Sequence, residues 1–476
     1  LYEIKKLIAS AFRFLYQESF MKTKIVVWIM LMLAGSVAHA NGQFSVQCAY
    51  SHTLPNDPIV YPGRPGEAMV HDFFGNPKSN AFSTYESLSN NKVTTCNSNA
   101  DVSSYWVPQL KRAYGVMSPI YQKTYYKNDQ PVVPVHEIPP GLEMLAGNHM
   151  GTAPNPHINF LCVGSGNYTT TMPKSCPASS PGATMLLAIS VHFPDCWDGH
   201  TLVPNLGANK SARMSNLMKA ANGGLNVAYR NADGTCPSAY PVKIPELQLN
   251  VTYDLGTDPD LSNAQLSLDP VFENGQWVPR WGSMYTAHGD FINAWHVETM
   301  KYLTDMRMNK AAVGGSCGGG IPVYYSPANA NVQVGSKGTT DPSDTTLVSE
   351  PGNVILIKFP MPAHLDDYPY AKSYLQTLGG NTTDDSTVML NLYAATTDWD
   401  DTGHLPNASA CSTNQGIGGI YLDNVQQVRT NDISGYIALQ KAAGATEVGL
   451  CIRNTTGKAI SFSSRSGSWT PGIYLK

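Results

Sequence analysis

Short apolar runs separated by Pro-, Gly-, Ser- and Asn-rich stretches dominate the chain beyond residue 40. Met185 to Phe193 (MLLAISVHF) and Leu247 to Leu255 (LQLNVTYDL) read as strands, because apolar, β-branched and aromatic residues recur over a single strand length and turn formers bound them. A cleaner version of the pattern recurs at Val354 to Phe359, Ala371 to Leu378, Val388 to Tyr393, Gly435 to Leu439 and Val448 to Asn454. That spacing predicts a β-sandwich or jelly roll. One helix is expected within Gly289 to Met308, where Ile292, Trp295, Leu303 and Met306 recur at helical spacing and Phe291 and Met300 widen the stripe. No internal repeat is visible, which argues against a solenoid or propeller.

The Gly-rich stretch Gly314 to Gly320 and the Ser/Asn/Asp/Thr-rich region Pro327 to Thr346 mark a composition shift. The expected architecture is therefore all-β, with two β-sandwich or jelly-roll-like domains. The first, 41–312, carries long loops and a C-terminal helix; a linker spans 313–346; an accessory sandwich fills 347–476.

Residues 21–40 change what counts as the mature chain. Lys22 and Lys24 precede an apolar stretch from Ile25 to Ala38, and Ala38-His39-Ala40 follows, the three regions of an export signal cut after Ala40. The apolar stretch falls short of the roughly 20 residues a membrane-spanning helix needs. Leu1 to Phe20 then reads as an upstream extension. A secreted or periplasmic location is expected, with no transmembrane segment in the mature chain.

Composition supports this picture. Charged residues make up 14%, hydrophobic residues 42%, and Gly 41 with Pro 33 supplies many turns, which excludes disorder and coiled coil. Removing residues 1–40 takes five Lys/Arg from 31 and two Asp/Glu from 35, leaving a formal net charge of −7. Nucleic acid is an unsuitable partner for such a chain, since a phosphate-tracking surface needs a basic stripe and only Lys111-Arg112 stands out. The chain holds nine cysteines, and in an exported protein they are expected as disulfides. Pairing of neighbours in chain order joins Cys48 with Cys96, Cys162 with Cys176, Cys196 with Cys236 and Cys411 with Cys451, leaving Cys317 odd. No Cys/His spacing suits zinc.

Several polar clusters are candidates for chemistry. His71-Asp72-Phe73-Phe74-Gly75-Asn76 sets an imidazole and a carboxylate beside two aromatics, and His288-Gly289-Asp290 opens the predicted helix, whose dipole would keep His288 neutral. The plainer alternative has Asp290 capping that helix and His288 filling a loop. Asp195 and Asp198 flank Cys196 and Trp197 directly after a strand; paired carboxylates suit acid and base work on a glycosidic bond, and an exposed Trp offers a sugar a stacking face. Their structural alternative is a turn at Asp198-Gly199 with Trp197 in the core. Asp57, Glu86 and the Ser104-Tyr105-Trp106 run are weaker candidates.

Eight ordered phrases resemble a secreted family of unknown function, found in fungi and bacteria and sometimes fused to WSC carbohydrate-binding modules. They are Asp57 to Gly63, His71 to Asn76, Ser83 to Glu86, Tyr105 to Pro108, Pro140 to Leu142, Phe193 to Gly199, Pro241 to Pro245 and His288 to Phe291, within about residues 43–310. The candidate catalytic residues His71, Asp195, Asp198, His288 and Asp290, and the candidate substrate contacts Asp72, Tyr105, Trp106 and Trp197, all fall within these phrases. This chain departs from the family pattern at Met69-Val70-His71, where His-x-His is usual, and at Asn209 to Met214, where His-Lys-Ser-His-Met is usual. Tyr240 and His296 also replace a usual His and Asp. Losing several imidazoles would cripple a site built from coupled groups.

Residues of about 345–476 resemble the DNRLRE-type β-sandwich, some members of which are carbohydrate-binding modules. Val354 to Phe359, Ala371 to Leu375, Val388 to Tyr393, Asp398-Trp399-Asp400, Val448 to Asn454 and Ser463-Ser464-Arg465 carry the likeness. Trp399 is a candidate sugar platform or a core plug, and Asp398, Asp400 and Asp401 are closely spaced carboxylates of the kind calcium prefers. The resulting expectation is a secreted protein that binds extracellular or cell-envelope polysaccharide. The alternatives are a glycoside hydrolase or other polysaccharide-degrading enzyme, and a surface adhesin.

Overall fold

A computed structural model describes residues 42–129, 133–164, 166–207, 210–221, 223–309, 321–335 and 338–476. The expected export signal, the extension before it and Cys317 lie outside these residues.

The first sandwich is built on a nine-stranded antiparallel sheet. In chain order its strands are β1 (Gly42–Leu54), β2 (His71–Gly75), β3 (Ser104–Pro108), β4 (Tyr121–Asn128), β5 (Glu143–Gly147), β6 (Ile158–Cys162), β7 (Leu186–His192), β8 (Glu246–Asp254) and β9 (His288–Ile292). Across the sheet they run β5-β9-β3-β2-β1-β4-β8-β7-β6. A four-stranded sheet, Gln276–Gly282 with Gln265–Glu273, Leu110–Arg112 and Gly115–Met117, stands beside it.

The second sandwich pairs two further antiparallel sheets. One runs Tyr324–Pro327, Gly472–Leu475, Ser373–Asn381, Ile460–Ser463, Thr346–Ser349, with Gln427–Asp432 added to the central strand. The other runs Gly338–Thr339, Ala330–Gly335, Val354–Pro360, Glu447–Arg453, Val388–Ala395, Cys411–Leu422. The fold is all-β, as the apolar runs predict. The four cysteine pairings expected from chain order are formed: Cys48–Cys96, Cys162–Cys176, Cys196–Cys236 and Cys411–Cys451.

Three expectations are corrected. The helix begins at Val297, not Gly289: α-helical turns at Val297–Tyr302 pass into a π-helix at Leu303–Asn309, while His288–Ile292 is strand β9, buried along its whole length. Its backbone is satisfied by partners on both sides, Trp106 to Ser104 on β3 and Gly147 to Glu143 on β5, which outweighs the helical spacing of its apolar residues. Gly435 to Leu439 is helical within Ser434–Ala442. A short apolar run does not distinguish strand from helix, and the helix formers that follow, Gln440, Lys441 and Ala442, decide the matter. Finally, the stretch expected as linker supplies strands at Tyr324–Pro327, Ala330–Gly335 and Gly338–Thr339.

The helical segment after β9 joins the two sandwiches. Tyr302 packs 4.3 Å from Tyr325 and edge-on to Trp469, and its hydroxyl donates to Gln376 Oε1 at 3.0 Å. Leu303 and Met306 share one apolar cluster with Leu378, Trp469 and Tyr474 of the second sandwich. Tyr302→Ala removes a buried ring from this joint, a loss of about 3–5 kcal/mol. Calorimetry of the wild-type protein should show one cooperative transition and the variant two; a single transition at an unchanged Tm would show that the joint does not couple the sandwiches.

Candidate functional site

Residues alternate faces along a strand, so the register of β2, β3 and β9 decides which side chains meet. Phe73 on β2 and Asp290 on β9 both pair with Trp106 on β3, and His71 pairs with Pro108. His71, Phe73, Trp106, His288 and Asp290 therefore project from one face, and Asp72, Phe74, Tyr105 and Phe291 from the other. The family phrase at residues 71–76 is a division of labour. Phe73 stacks near Trp106 at 5.7 Å beneath the polar groups, and Phe74 enters the main core. Gly75 turns with φ +82°, where a Cβ would meet Ser103 O at 2.2 Å. Buried Asn76 donates to the carbonyls of Leu88, Asn91 and Val102, clipping the following loop.

On the first face, His71 Nε2 lies 3.4 Å from His288 Nε2, and His288 Nε2 lies 3.9 Å from Asp290 Oδ2. All three residues are buried, Asp290 to 2% exposure. The other ring nitrogens are committed: His71 Nδ1 to Asn56 O at 3.0 Å and His288 Nδ1 to Thr286 O at 2.8 Å. Gly147 lets β5 pass this point, since with φ +87° its Cβ would stand 2.6 Å from His288 Cα.

Burial governs the electrostatics. It pushes His71 down to about 4 and holds His288 well below its usual value, with the neighbouring imidazoles of His71 and His149 adding to the effect. Burial likewise raises Asp290 well above the carboxylate range, helped by the charge of Asp57. Asp57 rises to about 7 through burial, although the N–H groups of Val60 and Ile59 donate to its Oδ1 and oppose the shift. Glu143 rises to about 8 for the same reason, with Asp57 contributing.

His288, Asp290, Asp57, His149 and Asp269 line a cavity of about 30 Å³, roofed in part by Leu217 and Ala220 of the helix Lys210–Ala221. A space of about 330 Å³ shares Met69, His149 and Asp269 with it and is walled by Leu268, Arg280 and Gly282 of the hairpin 265–282. That hairpin turns at Asn274-Gly275, both at positive φ, the two-residue turn that suits strand twist. Near its tip, Phe272 and Trp277 are exposed and lie 5.0 Å apart.

The remaining sequence candidates lie elsewhere. Asp72 is buried on the opposite face, accepting from the Thr53 hydroxyl at 2.6 Å. Asp195 is committed to Arg230 at 2.7 Å and to Lys243 at 3.5 Å, and Asp198 caps a turn through the N–H groups of His200 and Thr201. Neither lines the cavity or the cleft beside it. Tyr105 and Trp106 are wholly buried, Trp197 is half-buried with its indole donating to Thr201 O, and Trp399 is 3% exposed with its indole donating to Thr396 O. Tyr105, Trp106 and Trp399 therefore present no sugar-stacking face, and Trp399 is the core plug. Glu86 is exposed in the first turn of the helix Tyr85–Asn90. Of the proposed calcium carboxylates, Asp401 is held by Arg465 at 2.7 Å and Asp400 accepts from the loop N–H groups of Thr402 and His404. Asp401 is thus engaged across the sandwich and Asp400 within its loop, and among the described residues these carboxylates form no metal-ligand cluster. Sequence reasoning missed His149, Asp269 and Trp277. The Asn-Gly turn is a readable signal for the hairpin bearing the last two, whereas nothing local marks His149.

The molecule is thus an all-β protein of two sandwiches, the first carrying a buried imidazole–carboxylate cluster beside an open cleft. Residues 57–295, half the chain, match the family described as Domain of unknown function (DUF1996), and the chain belongs to it. Residues 328–475 match Carbohydrate-binding module family 96. No curated protein matches the chain. Among the departures from the family pattern, Met69 lines the cavity and Arg213 lies over the cavity residue Tyr61 at 5.4 Å. Tyr240 instead donates to Leu225 O, and His296 contacts Tyr368 of the second sandwich.

Asp195→Asn removes the counter-charge of Arg230 and Lys243 and should cost about 2–4 kcal/mol in urea unfolding, below the loss for a fully buried pair because Arg230 is partly exposed. Ligand binding by the folded fraction should be unchanged. Loss of binding at full stability would return Asp195 to the site.

Proposed function

We propose that the protein is secreted or periplasmic and binds extracellular or cell-envelope polysaccharide, the first sandwich at its cleft and the second as an accessory binding module. The observation that carries this reading is the cleft wall: the hairpin 265–282 offers Asp269 and Arg280 to the open space and the exposed ring of Trp277 near its tip. Charged groups on a cleft wall, with an exposed aromatic ring further along the same hairpin, suit a chain of hydroxyl-rich rings, which stack through their C–H faces and hydrogen-bond through their edges. The match of residues 328–475 to a carbohydrate-binding family supports the same class of ligand for the second sandwich, where Tyr370 and Tyr421 are exposed. Four disulfides accord with export. Among the described residues no helix is long and apolar enough to cross a membrane.

A second reading, breakdown of the bound polymer, draws on the buried groups beside the cleft, because raised carboxyls and neutral imidazoles are the acid and base forms such chemistry uses. Release of reducing ends from a bound polymer would establish it.

Titration calorimetry of the chain from Asn41 onward against glucans, chitin and uronic-acid polymers tests the main reading. At least one polymer should bind, and Trp277→Ala should weaken it about tenfold, near 1.4 kcal/mol, with Tm unchanged because the ring is 43% exposed. Silence across the panel overturns the reading, and an unaffected Trp277→Ala removes the hairpin tip from it.

A further inference from the structure

We infer that His71 Nε2, His288 Nε2 and Asp290 Oδ2 form a binding site for one divalent first-row transition-metal ion in the first sandwich, with an open coordination position toward the cavity.

The inference follows from hydrogen-bond inventory. Backbone carbonyls only accept, so the contacts of His71 Nδ1 with Asn56 O and of His288 Nδ1 with Thr286 O place the proton on each Nδ1. A neutral imidazole protonated there carries a bare lone pair on Nε2. These two lone pairs meet head to head at 3.4 Å. Asp290 Oδ2, the third atom of the group, is buried and has no hydrogen-bond partner. Three acceptors thus converge where no donor among the described residues reaches them, and buried polar atoms left this way call for an ion or water. One shared proton would satisfy two of them and leave the third unmet.

Geometry agrees. The ligand atoms of His71, His288 and Asp290 lie within 4.8 Å of one another. Two atoms bonded at about 2.0–2.1 Å to a tetrahedral ion stand about 3.3–3.4 Å apart. The His71–His288 separation already matches, and the 3.9 Å from His288 to Asp290 needs only a small contraction. Metal-bound imidazoles characteristically donate their other N–H to a backbone carbonyl, as both rings do here. Among the described residues no Lys or Arg lines the cavity, and a second carboxylate, Asp57, does. Two nitrogens and one oxygen suit zinc and its first-row neighbours rather than calcium, which prefers an all-oxygen shell. The cavity of about 30 Å³ leaves room for a water or one ligand atom opposite the three side chains.

The site does not depend on polysaccharide binding, and its test reads metal alone. Chain from Asn41 onward, purified without chelator or affinity-tag histidines, should carry about one equivalent of a first-row divalent ion by elemental mass spectrometry. After chelator treatment, added Zn²⁺ should bind with a stoichiometry of one and raise the Tm, and Co²⁺ should give visible d–d bands of mixed nitrogen and oxygen ligation. Asp290→Asn, which preserves shape, and His288→Ala should each weaken Zn²⁺ at least tenfold, while His157→Ala, outside the cavity, should not. Failure of metal-free wild type to bind Zn²⁺ or Co²⁺ at 100 µM overturns the inference, as does unchanged affinity in folded Asp290→Asn. Because the wild-type titration stands alone, poor folding of a variant does not rescue the idea.

Discussion

The antiparallel register of β2, β3 and β9 is the constraint on which the site depends. A strand repeats every two residues, so a slip of one residue between β3 and β9 would send His288 and Asp290 into the main core and bring Phe291 to the polar face. The register is pinned on both sides. Trp106 pairs with Phe73 and with Asp290, so one residue sets the alignment of both neighbours. The alternate residue of β3, Tyr105, anchors the other face: its hydroxyl donates to Asp101 Oδ2 at 2.8 Å and lies 2.6 Å from Tyr126 OH, which in turn accepts from the Trp295 indole. Neighbouring residues on a single strand thus hold the frame and floor the site.

A frame of this kind is needed because the groups it assembles oppose folding. Withdrawing imidazoles and carboxylates from water is unfavourable unless they neutralise or find partners, and both responses are present. His71 and His288 stay neutral, while Asp57 is hydrogen-bonded by two backbone N–H groups and its proton affinity still rises. The offset comes from elements that do no chemistry: Asn76 clipping three carbonyls, the Cys48–Cys96 bridge tying β1 to the approach to β3, and the aromatic packing beneath the polar face. Functional groups stored at a cost to stability are the usual places where local rules fail.

The fold was legible where one physical signal acted alone. Glu246–Asp254 alternates over a full strand length and was readable as such; so were the short runs of the second sandwich that face its core. Gly435 to Leu439 misled because five apolar or small residues fit either period, and only Ile437 of the resulting helix is buried. β9 misled in the opposite direction, since the helical turns Val297–Tyr302 and Leu303–Asn309 supply half of the stripe, Met300, Leu303 and Met306. Of the site, His71, His288 and Asp290 were visible as polar residues in apolar company. Their meeting was not visible, because 217 residues separate the two histidines and only sheet topology closes that gap. Aromatic candidates failed for a related reason: Trp106 and Trp399 are indistinguishable in sequence from an exposed Trp until burial is known.

The same strand that carries His288 and Asp290 also leads to the second sandwich. Only a few residues after Ile292, the chain enters the helical segment whose Tyr302 sits between Tyr325 and Trp469. Site and module therefore share a packed element, the segment 297–309 seated against the second sandwich. A flexible linker would give the module a broad range of positions and a low effective concentration at any one of them. A packed joint instead commits the two surfaces to one relative geometry, which under the proposed function favours a polymer rigid enough to present repeating units to both. On the proposed reading, the seating of Tyr302 bears on ligand selection as directly as the residues of the cleft wall.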